Sequence, residues 1–335
     1  MKKSPLLFII CILAACSDRN SMENYSLLTN LGDMEQTVFV PALESPVGAN
    51  ENVIYTPTLL FAWDEVRKVT GQPIEYTADS LSDFDVLNTS TSFLEALDKG
   101  EYKTTVEVEE DKIATSASFK KSLFFGTEFQ KAEKPLLFGD SQVRAFGMYD
   151  YQEDVAKNIS MLHYRSDSLF VISLRPKEEG HEIILAKGID SIQSLSDAYS
   201  QINLLIKTGR QDTVNIWKHF ITSMDKLSIP VISFNLETNY GNIEGQNFKV
   251  VVQEYNVVTA RQTTKFVLNE SGAAVESYAS VEVKSVSAVL SFEEQKPKNL
   301  VFDKPFIIIM KHRNRTNPYF VARIANEELL VKEVN

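Results

Sequence analysis

The chain has 335 residues, 44% of them apolar and 24% charged, and a formal net charge of −11 at pH 7. An acidic chain without a basic stripe is a poor partner for nucleic acid, whose binding draws on phosphate neutralisation, so none is expected. Cys11 and Cys16 are the only cysteines. Both belong to the leader, so the body of the chain offers no thiolate for nucleophilic, metal-binding or redox chemistry.

The leader is the first element. Lys2 and Lys3 give a positive start, Leu6 to Leu13 an apolar run, and Leu13-Ala14-Ala15 small residues just before Cys16. That order marks a secretion signal, and the run is about half of the ~20 residues that a spanning helix needs. Residues 1–15 are read as a lipoprotein signal peptide. Cys16 is the lipidation site, with more than one acyl chain needed for stable anchoring. The expected location is the bacterial cell envelope, held on the lipid membrane through Cys16. Ser17, not an acidic residue, follows the cysteine and favours the outer membrane.

Residues 16–48 are polar and broken by Pro41, Pro46 and Gly48, and are read as a tether, with Val38-Phe39-Val40 touching the fold. Residues 49–335 form the domain. Helical spacing is clear from Leu59 to Val69, with Gly71 as a stop, Thr56 as a cap and Pro57 at the first helical position. Asp83 to Leu97 is helical in part, and Leu195–Ile206 and Ile216–Met224 are further helix candidates. Period-two alternation predicts strands at 103–108, 168–174 and 280–289. Residues 229–236, 248–258 and 266–268 are β-rich, and Phe306–Met310 is a continuous apolar run suited to a buried strand. Helices early and strands late give α+β with large, mostly antiparallel sheets.

Three segments in this order resemble the serpin family of protease inhibitors. Asn52-Val-Ile-Tyr-Thr-Pro-Thr-Leu-Leu is similar to the serpin opening, in which Asn, a hydrophobic strand and Ser-Pro lead into a helix. Thr56 replaces the usual serine, and Leu59 a second one. Lys265-Phe-Val-Leu-Asn-Glu-Ser-Gly-Ala-Ala-Val is similar to the strand and hinge of the reactive loop. Phe302-Asp-Lys-Pro-Phe-Ile-Ile-Ile-Met with Asn317-Pro-Tyr-Phe-Val-Ala-Arg-Ile resembles the C-terminal pair of buried strands, with Ala322 in place of a glycine. Weaker likenesses lie at Met161–Tyr164, Phe170–Leu174, Ile229–Phe234 and Phe124–Phe129.

The resemblance implies a serpin-like α+β domain with a long exposed reactive loop. It implies inhibition of secreted or envelope serine proteases, and cysteine proteases beside them, by loop cleavage and strand insertion. Glu270, Gly272, Ala273, Ala274 and Val275 stand at the hinge. Insertion demands small or apolar residues at alternate positions. Ala273, Val275, Ser277, Ala279, Val281 and Val283 meet that demand on one face, while Ala274, Glu276, Tyr278, Ser280, Glu282 and Lys284 make a mostly polar second face. Two readings stay open: a loop that enters the sheet, or a strand that sits there permanently.

Counting forward from the hinge puts the scissile bond at Val286-Ser287, suited to an elastase-like protease. Counting back from Pro305 puts it near Glu294, because the loop is longer than the family typically uses. The forward count is adopted, since insertion geometry is fixed from the hinge. The stretch from Gly100 to His163 is short for the helices that normally cover the opening sheet.

Other chemistry finds little support. The four histidines, His163, His181, His219 and His312, show no paired-ligand spacing and no nucleophile motif. Glu109-Glu110-Asp111 reads as a solvated turn. No catalytic residue, metal or cofactor is expected. The rival to an inhibitor is a non-inhibitory binding or scaffold lipoprotein on the same fold.

Overall fold

The computed structural model describes residues 26–71, 73–77, 82–109, 113–189, 191–275 and 296–333. The pairing begins with β1 (Thr29–Asn30) and β2 (Thr37–Phe39). Thr37, Phe39, Val40, Ala42, Leu43 and Ser45 are all buried, so the tether expected to run to residue 48 is shorter than that. Pro41 and Pro46 give the segment the look of a linker, yet its apolar residues are enough to dock it.

β3 (Asn52–Tyr55) is buried throughout and leads into α1 (Thr58–Thr70), whose Leu60, Phe61 and Trp63 face the core. The helix starts one residue later than its sequence predicts. Pro57 is the cap, its carbonyl accepting from Phe61 N at 2.9 Å, and no side chain caps the end. Gly71, at φ 91°, stops the helix with its N–H on Arg67 O. α2 (Asp83–Thr89) is capped by Ser82 and ends before Phe93 and Leu97, which are buried from turns.

β4 (Tyr102–Val108) and β5 (Ile113–Phe119) form a hairpin laid on α1. Tyr102 stacks on Phe61 at 4.1 Å, and Thr115 Oγ1 donates to Ala62 O at 2.8 Å. β6 (Lys121–Phe124), β7 (Gln130–Lys131) and β8 (Ala145–Met148) follow. Among the described residues between Gly100 and His163, the only helical segment is the single turn Glu153–Ala156. β9 (Ile159–Ser166), β10 (Leu169–Leu174) and β11 (His181–Lys187) make a meander. α3 (Leu195–Gln211) is capped by Ser194, which accepts from Asp197 N at 3.1 Å.

Three sequence expectations change here. The helix expected over Ile216–Met224 is only a 3-10 turn, Ile216–His219, because Asp212 and Asp225 take local backbone N–H groups that a longer helix needs. The strand expected at 229–236 is two, β12 (Lys226–Pro230) and β13 (Ile232–Asn239), in different sheets. The run 248–258 is a hairpin, β14 (Asn247–Val250) and β15 (Gln253–Asn256), turned at Val251 with φ 57°. β16 (Arg261–Asn269), β17 (Gly272–Val275), β18 (Asn299–Val301), β19 (Phe306–His312) and β20 (Phe320–Ile324) complete the chain.

These strands build three main sheets: β9-β10-β11-β19-β20-β3-β2, β1-β13-β16-β17-β6 and β18-β12-β8-β7. Pairing is antiparallel except for β1 with β13, β2 with β3 and β12 with β18, so the mostly antiparallel α+β reading stands. Phe266 of β16 stacks on Phe320 of β20 at 4.4 Å, which locks the five-stranded sheet to the seven-stranded one. Among the described residues, no helix is long and apolar enough to cross a membrane.

Candidate functional site: a hinge strand and its groove

The site starts at the turn after β16. Ser271 N donates to Asn269 Oδ1 at 3.0 Å, which closes the tight reversal. The neighbouring segment then bolts the turn in place. Phe125 N and Phe129 N donate to Ser271 O and Glu270 O, each at 2.9 Å, and Lys131 Nζ pairs with Glu270 at 3.0 Å. Ser271 Oγ donates to Glu128.

The hinge residues leave this turn as β17, seated between two strands. Leu268 pairs with Ala273 and Phe266 with Val275 on one side; Leu123 pairs with Ala273 and Lys121 with Val275 on the other. Ala273 and Ala274 are fully buried and Val275 is 2% exposed. Gly272–Val275, expected at the start of an exposed loop, are therefore strand and buried. Ala273 and Val275 share the face of Phe266 and Leu268, as the alternation predicts.

Past Val275 a groove of about 1520 Å³ continues the line of β17. One wall is residues 258–265, the other residues 113–120, and α1 contributes Leu59, Ala62 and Trp63. Gln262 and Thr264 line it as a buried polar pair: Gln262 Nε2 donates to Thr56 Oγ1 at 2.9 Å and to Thr264 Oγ1 at 3.2 Å. Thr56, expected as a helix cap, is thus part of the groove instead.

The structure brings Glu270, Gly272, Ala273, Ala274 and Val275 together. Ser277, Ala279, Val281, Val283, Val286, Ser287 and Cys16 lie outside the described residues.

Sequence reading missed two clusters beside the hinge. Beneath it, Lys121 points inward, 3.9 Å from Glu101 Oε1, while Glu101 Oε2 meets His312 Nε2 at 3.1 Å. His181 lies against His312 with ring centroids 4.6 Å apart at a 40° tilt and shares a hydrogen bond with Tyr319 OH at 3.0 Å. Burial pulls Lys121 down from 10.5 to about 7, against the raising effect of Glu101 and Glu178, and pulls His181 to about 2. Asp98, Glu101 and His312 hold ligand atoms within 4.8 Å of one another. Lys121 and Arg315 already sit on those two carboxylates, so protein cations match their charge. The visible signal was the alternation Lys121-Ser122-Leu123-Phe124, which puts a lysine on the inward face.

The second cluster holds the chain where it returns. Lys298 and Asp225 are fully buried and paired at 2.8 Å. Asp225 Oδ1 also accepts from Lys298 N at 2.7 Å, and Nζ donates to Trp217 O at 3.2 Å. The rings of Trp217 and Tyr164 lie 5.3 and 5.9 Å from the ammonium. Residue 298 is pinned by both its backbone and its side chain.

No family model and no curated protein matches the chain. Solved structures do. Serpin48 of the insect Tenebrio molitor aligns at 12% identity over 82% of this chain and 92% of its own, with a TM-score of 0.42. Thyroxine-binding globulin in complex with thyroxine aligns at 9% identity over 83% of this chain and 93% of its own, TM-score 0.40. Native protease nexin-1 with heparin aligns at 13% identity over 64% of this chain and 56% of its own, TM-score 0.36.

Proposed function

We propose that this chain is a serpin-like inhibitor of proteases, anchored in the cell envelope by lipid at Cys16, that works by loop cleavage and strand insertion. The observation that carries this reading is the continuity of β17 with its groove. Continued past Val275, the pairing numbers put residue 277 beside Thr264 and Phe119, 279 beside Gln262 and Ala117, 281 beside Ala260 and Thr115, and 283 beside Val258 and Ile113. All eight neighbours line the groove. The residues that would enter are Ser277, Ala279, Val281 and Val283, small or β-branched at every inward position. On the outward face of such an extension, Glu276 would fall between Lys265 and Lys120, a favourable cross-strand arrangement. A strand added there gains main-chain hydrogen bonds and apolar burial, the free energy that such a mechanism turns against an attached protease.

The target is a secreted or envelope serine protease, or a cysteine protease, with Val286-Ser287 as the scissile bond. The test is to incubate the chain from Ser17 with elastase-, subtilisin- and papain-like proteases. A protease adduct that survives SDS, with a gain in thermal stability after cleavage, is the expected result. Clean cleavage with neither sinks the proposal. Anchoring is tested separately: Cys16→Ser should move the protein from the membrane to the soluble fraction.

One observation favours a second reading, a non-inhibitory binding lipoprotein. Four hinge residues are already in the sheet, which leaves less to gain from insertion. The same adduct experiment separates the two.

A further inference from the structure

On the other face of the seven-stranded sheet, Asn203, Ile206, Lys207 and Arg210 of α3 make one helical stripe at i, i+3, i+4 and i+7, with Ile206 buried and the other three exposed at the rim of a cavity. Facing them are Glu182 and Ile184 of β11, Lys311 of β19, Arg313 just past its end, and Leu162 of β9, around this cavity of about 400 Å³. Glu182 and Lys311 are direct cross-strand partners. Four cations thus converge on one carboxylate, in a chain whose net charge is −11.

Lys311 is only 9% exposed, and its recorded partner is the ring of Tyr199 at 5.7 Å. Arg313 Nε donates to His181 O at 3.2 Å, which leaves the rest of its guanidinium to the cavity. Burial raises the pKa of Glu182, against the lowering effect of Lys311, Arg313 and Arg210 around it. Lys311 brings its charge to the cavity with an aromatic ring beside it, and with Lys207, Arg210 and Arg313 it offers a concentration of positive charge to an anion. Two guanidinium forks and two ammonium groups suit an anion with about two charges and several acceptor oxygens. The cavity exceeds what a single such group fills, and Leu162, Ile184 and Ile206 give it apolar walls.

We propose that the cleft between α3 and the β11–β19 face binds a phosphate group, as free phosphate or as a lipid headgroup. Strand alternation puts Lys311 and Arg313 on the opposite face from His312 and the hinge, so the site stands apart from the insertion reading.

The test uses the Cys16→Ser chain, so that no lipid anchor contributes. Inorganic phosphate is titrated by calorimetry, and vesicles of phosphatidylcholine with and without phosphatidic acid are tested for co-sedimentation. Binding that weakens with salt is expected, reduced at least about tenfold in Lys207→Gln/Arg210→Gln, whose exposed positions leave folding intact. The distant Lys249→Gln should bind like the parent. Capture by phosphate in solution identifies the free source; capture by phosphatidic-acid vesicles alone identifies the headgroup. Binding of neither probe, or binding unchanged in the double variant, overturns the site.

Discussion

The two large sheets face each other but are made differently. In the seven-stranded sheet, β19 and β20 run through the middle as Phe306-Ile-Ile-Ile-Met and Phe320-Val-Ala-Arg-Ile, buried at every position and paired on both sides. The five-stranded sheet holds Gly272–Val275 of β17 beside a groove whose lining carries Gln262, Thr264 and, nearby, Lys121. One sheet is finished, and its continuous apolar strands admit no other partner. Among the described residues, the other lines its groove with buried polar groups, Gln262 and Thr264, where a closed core would place leucines. The first is the apolar core of the fold, and the second carries its buried polar groups.

Breaking the finished sheet should have the largest effect. Phe320→Ala removes a ring that is fully buried against Phe266, and denaturant unfolding should show a loss of about 3–5 kcal/mol. Ala273→Arg comes next. A charge at this fully buried position is unmatched, and β17 should leave the sheet while the seven-stranded core stays folded. The readouts are cleavage around 272–275 at least about tenfold faster under limited proteolysis, and loss of any protease adduct.

The third prediction concerns pH. Lys121 titrates near 7 in the fold and near 10.5 when unfolded, so unfolding takes up a proton between those values. Melting temperature should therefore climb as pH rises from about 7 towards 10, and Lys121→Met should flatten that slope. An unchanged slope would mean that Glu101 and Glu178 hold the ammonium charged throughout. Smallest is Gln262→Ala, which frees Thr56 and Thr264 from one shared donor and should cost about 1 kcal/mol by denaturant unfolding.

The finished sheet was the legible one. Phe306–Met310 and Leu169–Leu174 announce themselves through apolar continuity, and α1 and α3 through helical spacing. The inward placement of Ala273 and Val275 was also readable, because strand alternation holds in any sheet. That same generality hid the seating of β17: a strand already in place and a loop able to enter have one pattern. Lys121, Glu101, His181 and His312 come from distant parts of the chain, and only the packing of one sheet on the other joins them. The break at Val231 escaped because a change of sheet leaves the hydrophobic run intact. The docking of Thr37–Ser45 escaped because its prolines outweighed its few apolar residues.

The pinning of Lys298 also decides what a nick in this protein produces. A cut anywhere in residues 276–295 separates β18, β19 and β20 covalently from the rest. Yet β19 and β20 are interior strands of the seven-stranded sheet, and Lys298 stays clasped by Asp225. The severed piece has no route out short of global unfolding. The nicked protein is a two-chain complex: one species by sedimentation, two bands on a denaturing gel.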